Sequence, residues 1–251
     1  LYELIKGLVE LSDFDYSVMD KLITGIQIDS RFVRKSDLFI ACFGRNHDAR
    51  NYIDLAIESG CAAVLAEFTV GMRRLDVRSN VPVIGIDNLP SKVSEIASRF
   101  FKLPSSKLGV IGITGTNGKS TVVALIGHLL KTKGFSVAIG GNYGKPALDL
   151  LDEKADIFVL ELSSFQLEKI QNLNLHTGVF LNFSDDHLDY HGSNATYLAA
   201  KRRIFHFSDR KLFYRQHKAT FPDAEGFGSV SFGLDNPSEP ESWGIRENLF
   251  E

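Results

Sequence analysis

Residues Gly112 to Thr121 read GITGTNGKST. They follow the apolar run LGVI and open a stretch with helical spacing. These residue types suit phosphate chemistry. Glycines let a backbone wrap closely around anionic oxygens. Backbone N–H groups and a helix N-terminus attract the negative charge. Lys119 adds a point charge for the outer phosphates, and the Ser120 hydroxyl can ligate Mg²⁺. The strict phosphate-loop spacing places glycine at position 113, where this chain has Ile113. Gly112, Gly115 and Gly118 supply the turns instead. Strand, loop, Lys-Ser and helix occur in the required order. The sequence therefore predicts a nucleoside-triphosphate site over Gly115, Thr116, Asn117, Gly118, Lys119, Ser120 and Thr121. A glycine-rich turn that only caps a helix is the alternative.

Further polar groups stand where other apolar runs end. Phe158–Leu162 reads FVLEL, which puts Glu161 at a strand terminus. A rigidly held carboxylate is a hard oxygen ligand suited to Mg²⁺. Ser163, Ser164 and Gln166 follow on the same rim. Leu181–Leu188 reads LNFSDDHL and gathers Asn182, Asp185, Asp186 and His187, with Asp189 and His191 just beyond. Three successive strand ends thus carry Lys/Ser, Glu and His. Lys201 lies in SNATYLAAKRRIF, where helical spacing groups it with Tyr197, Ile204 and Phe205. A plain lysine on that apolar face would be costly, so a buried, modified or metal-linked lysine is expected.

The elements that must hold these groups alternate in type. Asp37–Cys42, Ala62–Ala66 and Val81–Ile86 read as strands. Tyr52–Ser59 reads as a helix capped at Gly60, and Lys92–Phe101 as another. LPSS near Leu103–Lys107 marks a boundary, giving domains 1–106 and 107–251. The second domain has strands at Leu108–Ile113, Ser136–Ile139, Ile157–Leu160 and Val179–Asn182. Its helices are Lys119–Lys133 and Ala195–Phe207, the latter capped by Ser193. Lys211–Tyr214 and Ser229–Phe232 read as edge strands and Asn236–Glu241 as loop. The fold class is α/β: a small N-terminal α/β domain, then a parallel-sheet domain carrying the phosphate loop. Ligands in such sheets bind at the carboxyl ends of the strands.

Composition narrows the function. With 28 Lys+Arg against 31 Asp+Glu, the formal charge is −3, which argues against a dedicated nucleic-acid binder. No apolar run approaches the roughly 18 residues that span a bilayer. Cys42 and Cys61 both sit in apolar runs and read as buried thiols of a reducing cytoplasm.

Taken together, GITGTNGKST, GNYGKPALDLL (Gly141–Leu151), VLELSSFQLE (Val159–Glu168), LNFSDDHLDYHG (Leu181–Gly192) and AAKRRIF (Ala199–Phe205) resemble the Mur ligase family. These enzymes form amide bonds in peptidoglycan precursors at the expense of ATP. The middle of the chain looks most like the MurD branch. The stretch Ile28–Glu67 is similar instead to the UDP-binding front of the MurE and MurF branches. Two departures stand out. Tyr214-Arg215-Gln216-His217 replaces an Asn-x-Asp-Asp segment, and the family's C-terminal Rossmann-like domain is absent from this chain. A fragment or an incomplete enzyme is expected.

The resemblance implies a cytoplasmic, monomeric ligase that adds D-glutamate to UDP-N-acetylmuramoyl-L-alanine through an acyl phosphate. The alternatives are a MurE-like ligase that adds a diamino acid to the UDP-muramoyl-dipeptide, or a non-catalytic binder of UDP-sugar or nucleotide. It further implies ATP and two Mg²⁺ sites. Ser120 and Glu161 would hold one ion. Glu161, His187 and a carbamylated Lys201 would support the other. Asn142 and Ser163 would contact the muramoyl-peptide, and Ser30, Asn46 and His47 the uridine diphosphate.

Overall fold

The computed structural model describes residues 1–9, 19–44, 47–69, 75–223, 228–235 and 243–244. The chain divides into two compact units, Leu1–Lys102 and Leu103–Glu251.

The first unit contains α1 (Tyr2–Ile5), β1 (Gly25–Gln27), β2 (Asp37–Ala41), α2 (Ile53–Glu58), β3 (Ala63–Glu67), β4 (Leu75–Arg78), β5 (Val81–Ile86) and α3 (Leu89–Phe100). Its five-stranded sheet has the order β1-β2-β3-β5-β4. All pairs are parallel except β4 with β5. Side chains alternate between two cores, as strand geometry demands. Leu38, Ile40, Leu65, Ile84 and Ile86 fill one face, while Phe39, Val64, Ala66 and Val83 fill the other. Continuous apolar runs were needed because both faces are covered. The sequence reading missed β1 and β4, which are short and carry no run of apolar residues.

The second unit contains β6 (Gly109–Thr114), α4 (Lys119–Thr132), β7 (Val137–Gly141), β8 (Ile157–Glu161), α5 (Ser164–Lys169), β9 (Leu175–Phe180), α6 (Leu188–His191), α7 (Asn194–Arg202), β10 (Ser208–Tyr214), β11 (Ser229–Gly233) and β12 (Trp243–Gly244). The seven strands are all parallel, in the order β12-β11-β10-β9-β6-β8-β7. Phe158 and Leu160 point into one core with Val110, Phe180 and Phe213. Val159 points into the other with Ile113, Val123 and Val179. The chain reverses direction across the sheet at β6, since β8 lies on one side and β9 on the other. Such a switch point opens a crevice at the strand ends, and the phosphate loop leaves β6 there.

Three expectations are corrected. β10 and β11 are interior strands, with β12 outside them. β9 runs Leu175–Phe180, so Asn182 stands beyond the strand, in the loop. The helix expected to reach Phe207 ends at Arg202 and tightens into a 3₁₀ turn, Arg203–Phe207. Asn236–Glu241 lies outside the described residues.

Candidate active site

The phosphate loop is pinned along its first half. Thr116 N–H donates to the Asn182 carbonyl at 3.1 Å, and Leu181 N–H to the Thr114 carbonyl at 3.0 Å. A Cβ on Gly115 would meet the Leu181 Cβ at 3.1 Å, so a side chain here would crowd the loop after β9. Lys119 opens α4, and its ammonium donates to the Thr116 carbonyl at 3.0 Å. Ser120 and Thr121 continue the first helical turn, where backbone N–H groups have no intrahelical acceptor.

Glu161 ends β8 beside the loop and is almost wholly buried, at 3% exposure. Both its oxygens are engaged. Ser120 Oγ donates to Oε2 at 2.7 Å, and Asn142 Nδ2 donates to Oε1 at 3.1 Å. Asn142 also donates its backbone N–H to the Glu161 carbonyl at 2.9 Å. The parallel register sets this up, because Gly141 on β7 and Ile113 on β6 both pair with Glu161. A buried carboxylate beside a hydroxyl supplies hard oxygen donors that fit Mg²⁺, and the Asn142 amide N–H steadies the carboxylate from its other side.

Lys201 is 2% exposed, as its spacing with Tyr197, Ile204 and Phe205 required. Its Nζ donates to the Gly115 carbonyl at 2.8 Å and lies 4.6 Å from the centre of the Tyr197 ring. Burial, and then the nearby Lys119 charge, pull its pKa down to about 7. His187 is exposed and adopts a left-handed backbone at the start of α6. Its ring packs 4.9 Å from Phe165, and its Nε2 lies 3.6 Å from an Asp186 oxygen. Among the described residues, no three His, Cys, Asp or Glu side chains gather into a metal cluster. A second ion would therefore need a donor outside that set.

Ser163 has a local duty. It caps α5 in a reciprocal box: its Oγ accepts from Gln166 N–H at 3.3 Å, and Gln166 Oε1 accepts from Ser163 N–H at 2.9 Å. In the first unit, Ser30 is buried in a 3₁₀ turn that Asp29 caps, and His47 is exposed with its carbonyl accepting from Gly44 N–H at 3.0 Å. Asn46 lies outside the described residues. Two contacts were not read from the sequence as site features. Asn182 bonds the loop with its side chain as well as its backbone. His191 is buried with Nε2 3.0 Å from Ser164 Oγ. Both lie in the polar cluster after β9, which was the available signal.

A family model described as the Mur ligase middle domain matches residues 113–238. The chain belongs to this family. Its relatives include a UDP-N-acetylmuramoylalanine–D-glutamate ligase of Shewanella oneidensis, 51% identical over 139 residues, covering 55% of this chain and 31% of that protein. A protein of the same name from Chromohalobacter salexigens is 49% identical over 141 residues, again covering 55% and 31%. The Mur ligase chain described here thus spans about a third of the length of the curated relatives it matches. Among solved structures, a UDP-N-acetylmuramoyl-L-alanyl-D-glutamate–2,6-diaminopimelate ligase has a TM-score of 0.65 at 23% identity, covering 86% of this chain and 49% of that one. MurF of Thermotoga maritima in complex with ADP has a TM-score of 0.60 at 24% identity, with 86% and 52% covered. These structures share the fold. Among the described residues, no helix of this Mur ligase chain is long and apolar enough to cross a membrane.

Proposed function

We propose that this chain serves a cytoplasmic, ATP-dependent amide ligase that adds D-glutamate to UDP-N-acetylmuramoyl-L-alanine, the substrates that the names of its relatives give. The observation that carries the reading is the Ser120–Glu161–Asn142 chain of hydrogen bonds beside the phosphate loop. It joins the residue types that hold a nucleotide to those that hold its metal.

In this reaction the substrate carboxylate attacks the γ-phosphorus of ATP, giving an acyl phosphate and releasing ADP. The amine of the amino acid then attacks that carbonyl, and phosphate leaves. The chemical demand is charge neutralisation and alignment of the reactants. Lys119 and the first amides of α4 would bind the outer phosphates. Ser120 and Glu161 would hold one magnesium ion, which when bound neutralises phosphate charge. Glu161, His187 and a carbamylated Lys201 would hold a second. The depressed pKa of Lys201 supports that modification, because only a neutral amine adds carbon dioxide. Asn142 and Ser163, at the adjoining strand ends, would meet the muramoyl-peptide. Ser30, Asn46 and His47 would meet the uridine diphosphate.

The test is calorimetric titration with UDP-muramoyl-L-alanine and with UDP-muramoyl-L-alanyl-D-glutamate, in the presence of Mg²⁺ and a non-hydrolysable ATP analogue. Tighter binding of the monopeptide is expected. Tighter binding of the dipeptide would move the assignment to the diamino-acid ligase. Binding of neither would leave a nucleotide-binding module.

A further inference from the structure

Asn182 lies two residues beyond β9 and its side chain both accepts from and donates to the backbone of the phosphate loop. Its Oδ1 accepts from Thr116 N–H at 3.1 Å and from Asn117 N–H at 2.9 Å. Its Nδ2 donates to the Asn117 carbonyl at 2.9 Å. The surrounding contacts complete a bracket. Thr116 Oγ1 donates to the Ser184 carbonyl at 3.2 Å and accepts from Ser184 N–H at 3.1 Å. Lys201 holds the Gly115 carbonyl at 2.8 Å.

We infer that Asn182 is a positioning residue that divides the phosphate loop into two parts with different duties. The inference rests on the proposed ATP reading of the loop. Gly115–Asn117 is bonded to protein before any nucleotide arrives. Its Thr116 and Asn117 amides donate to Asn182 and are spent on shape. Phosphate then falls to the amides of Gly118–Thr121, where α4 begins and the helix dipole adds its charge. The division has a physical benefit. A loop already held in its bound shape loses less conformational entropy when the ligand binds. It also explains why an asparagine serves here. A carboxylate in its place would lack the Nδ2 donor for the Asn117 carbonyl and would set a negative charge beside incoming phosphates.

Amide hydrogen exchange resolved by residue tests this on the whole chain, without nucleotide and with Mg²⁺ and ADP. Thr116 and Asn117 amides are expected to exchange slowly in the free protein and to change little when ADP is added. Gly118–Thr121 amides are expected to slow only with ADP. Asn182→Ala is expected to speed exchange chiefly at Asn117, because Thr116 N–H keeps the Asn182 backbone carbonyl, and to weaken ADP binding on the order of tenfold, as loss of neutral hydrogen bonds does. Fast exchange at Thr116 and Asn117 until ADP is added would overturn the inference and leave the nucleotide reading intact. A folded Asn182→Ala variant with unchanged ADP affinity would do the same. ADP that alters no loop amide would remove the nucleotide reading and this inference with it. Should the alanine variant fail to fold, the wild-type exchange pattern decides alone.

Discussion

The Ser120 hydroxyl donates to Glu161 Oε2 at 2.7 Å, so the first turn of α4 and the end of β8 meet at one carboxylate. The two residues are 41 positions apart in sequence. The carboxylate is buried, and a buried charge must be compensated. Glu161→Gln keeps the shape and removes the charge. Mg²⁺-dependent affinity for ADP should fall by about tenfold or more, as loss of a charged ligand from a hard-cation site implies. Affinity measured in EDTA should change little. Titration of both proteins with and without Mg²⁺ checks this. An equal loss under both conditions would show that Glu161 supports the fold and holds no metal.

Gly141, at the end of β7, lies against the backbone of the same residue, Glu161. Its φ is +106°, a left-handed conformation, and a Cβ there would meet the Glu161 carbonyl oxygen at 2.4 Å. The Cβ position is fixed by the Gly141 backbone and the oxygen it meets is backbone too, so the clash cannot be relieved by rotating a side chain. Gly141→Ala should cost about 1–3 kcal/mol in stability from backbone strain, and more from the displaced strand end. It should also misplace Asn142 and weaken nucleotide binding. Urea denaturation compared with Gly134→Ala provides the control: Gly134 shares a positive φ but its Cβ would meet nothing. Equal losses in the two variants would mean that the contact with Glu161 is unimportant.

Much of this arrangement was legible because parallel strands buried on both faces must be continuous apolar runs. Residues 157–160 announced β8, and the first acid after that run marked Glu161 as a strand-end group. Lys201 was legible for the same reason, since helical spacing placed it with Tyr197 on a face that had to be buried. The bracketing role of Asn182 was not. Its meaning depends on the pairing of β9 with β6, which brings the loops after both strands together, and strand order is a long-range property. Ser163 was expected to contact substrate because the family resemblance implied it. Its capping box with Gln166 is a local pattern that the sequence also contained. β10 was taken for an edge strand because the last forty residues carry weak element signals, although the strand itself pairs on both sides.

Cys61 gives a pH dependence in the first unit. The thiol is buried, and burial, then the Asp37 charge, push its pKa up to about 11. The thiolate is the reactive form. Iodoacetamide at pH 8 should therefore leave Cys61 unmodified in the folded protein and modify it in urea. The folded pKa is raised, so this group favours the folded state below its ordinary value of 9.0 and loses that contribution as pH rises toward 11. Peptide mapping by mass spectrometry checks the labelling. Rapid alkylation of Cys61 at pH 8 without denaturant would contradict the burial argument.

Lys201 gives the opposite slope. Its pKa falls from 10.5 to about 7, through burial first and Lys119 second. Between those values the unfolded chain holds a proton that the folded chain has released, so stability rises with pH across that window. Lys201→Met removes the titration and keeps an apolar stem on the same buried face. It also strands the Gly115 carbonyl, a pH-independent loss of about 1–3 kcal/mol. In carbon dioxide-free buffer, the wild type should gain stability over Lys201→Met as pH is raised from 7.5 to 9.5, with the urea midpoints as readout. Parallel pH profiles would mean that Lys201 is not depressed. The neutral amine has a second consequence. Addition of ¹³C-labelled bicarbonate should produce a carbamate carbon signal in the wild type that Lys201→Met lacks. Under the proposed function, that carbamate would join Glu161 and His187 as the anionic donor of a second metal site. No new signal would remove Lys201 from the metal ligands and leave it as the residue that holds Gly115.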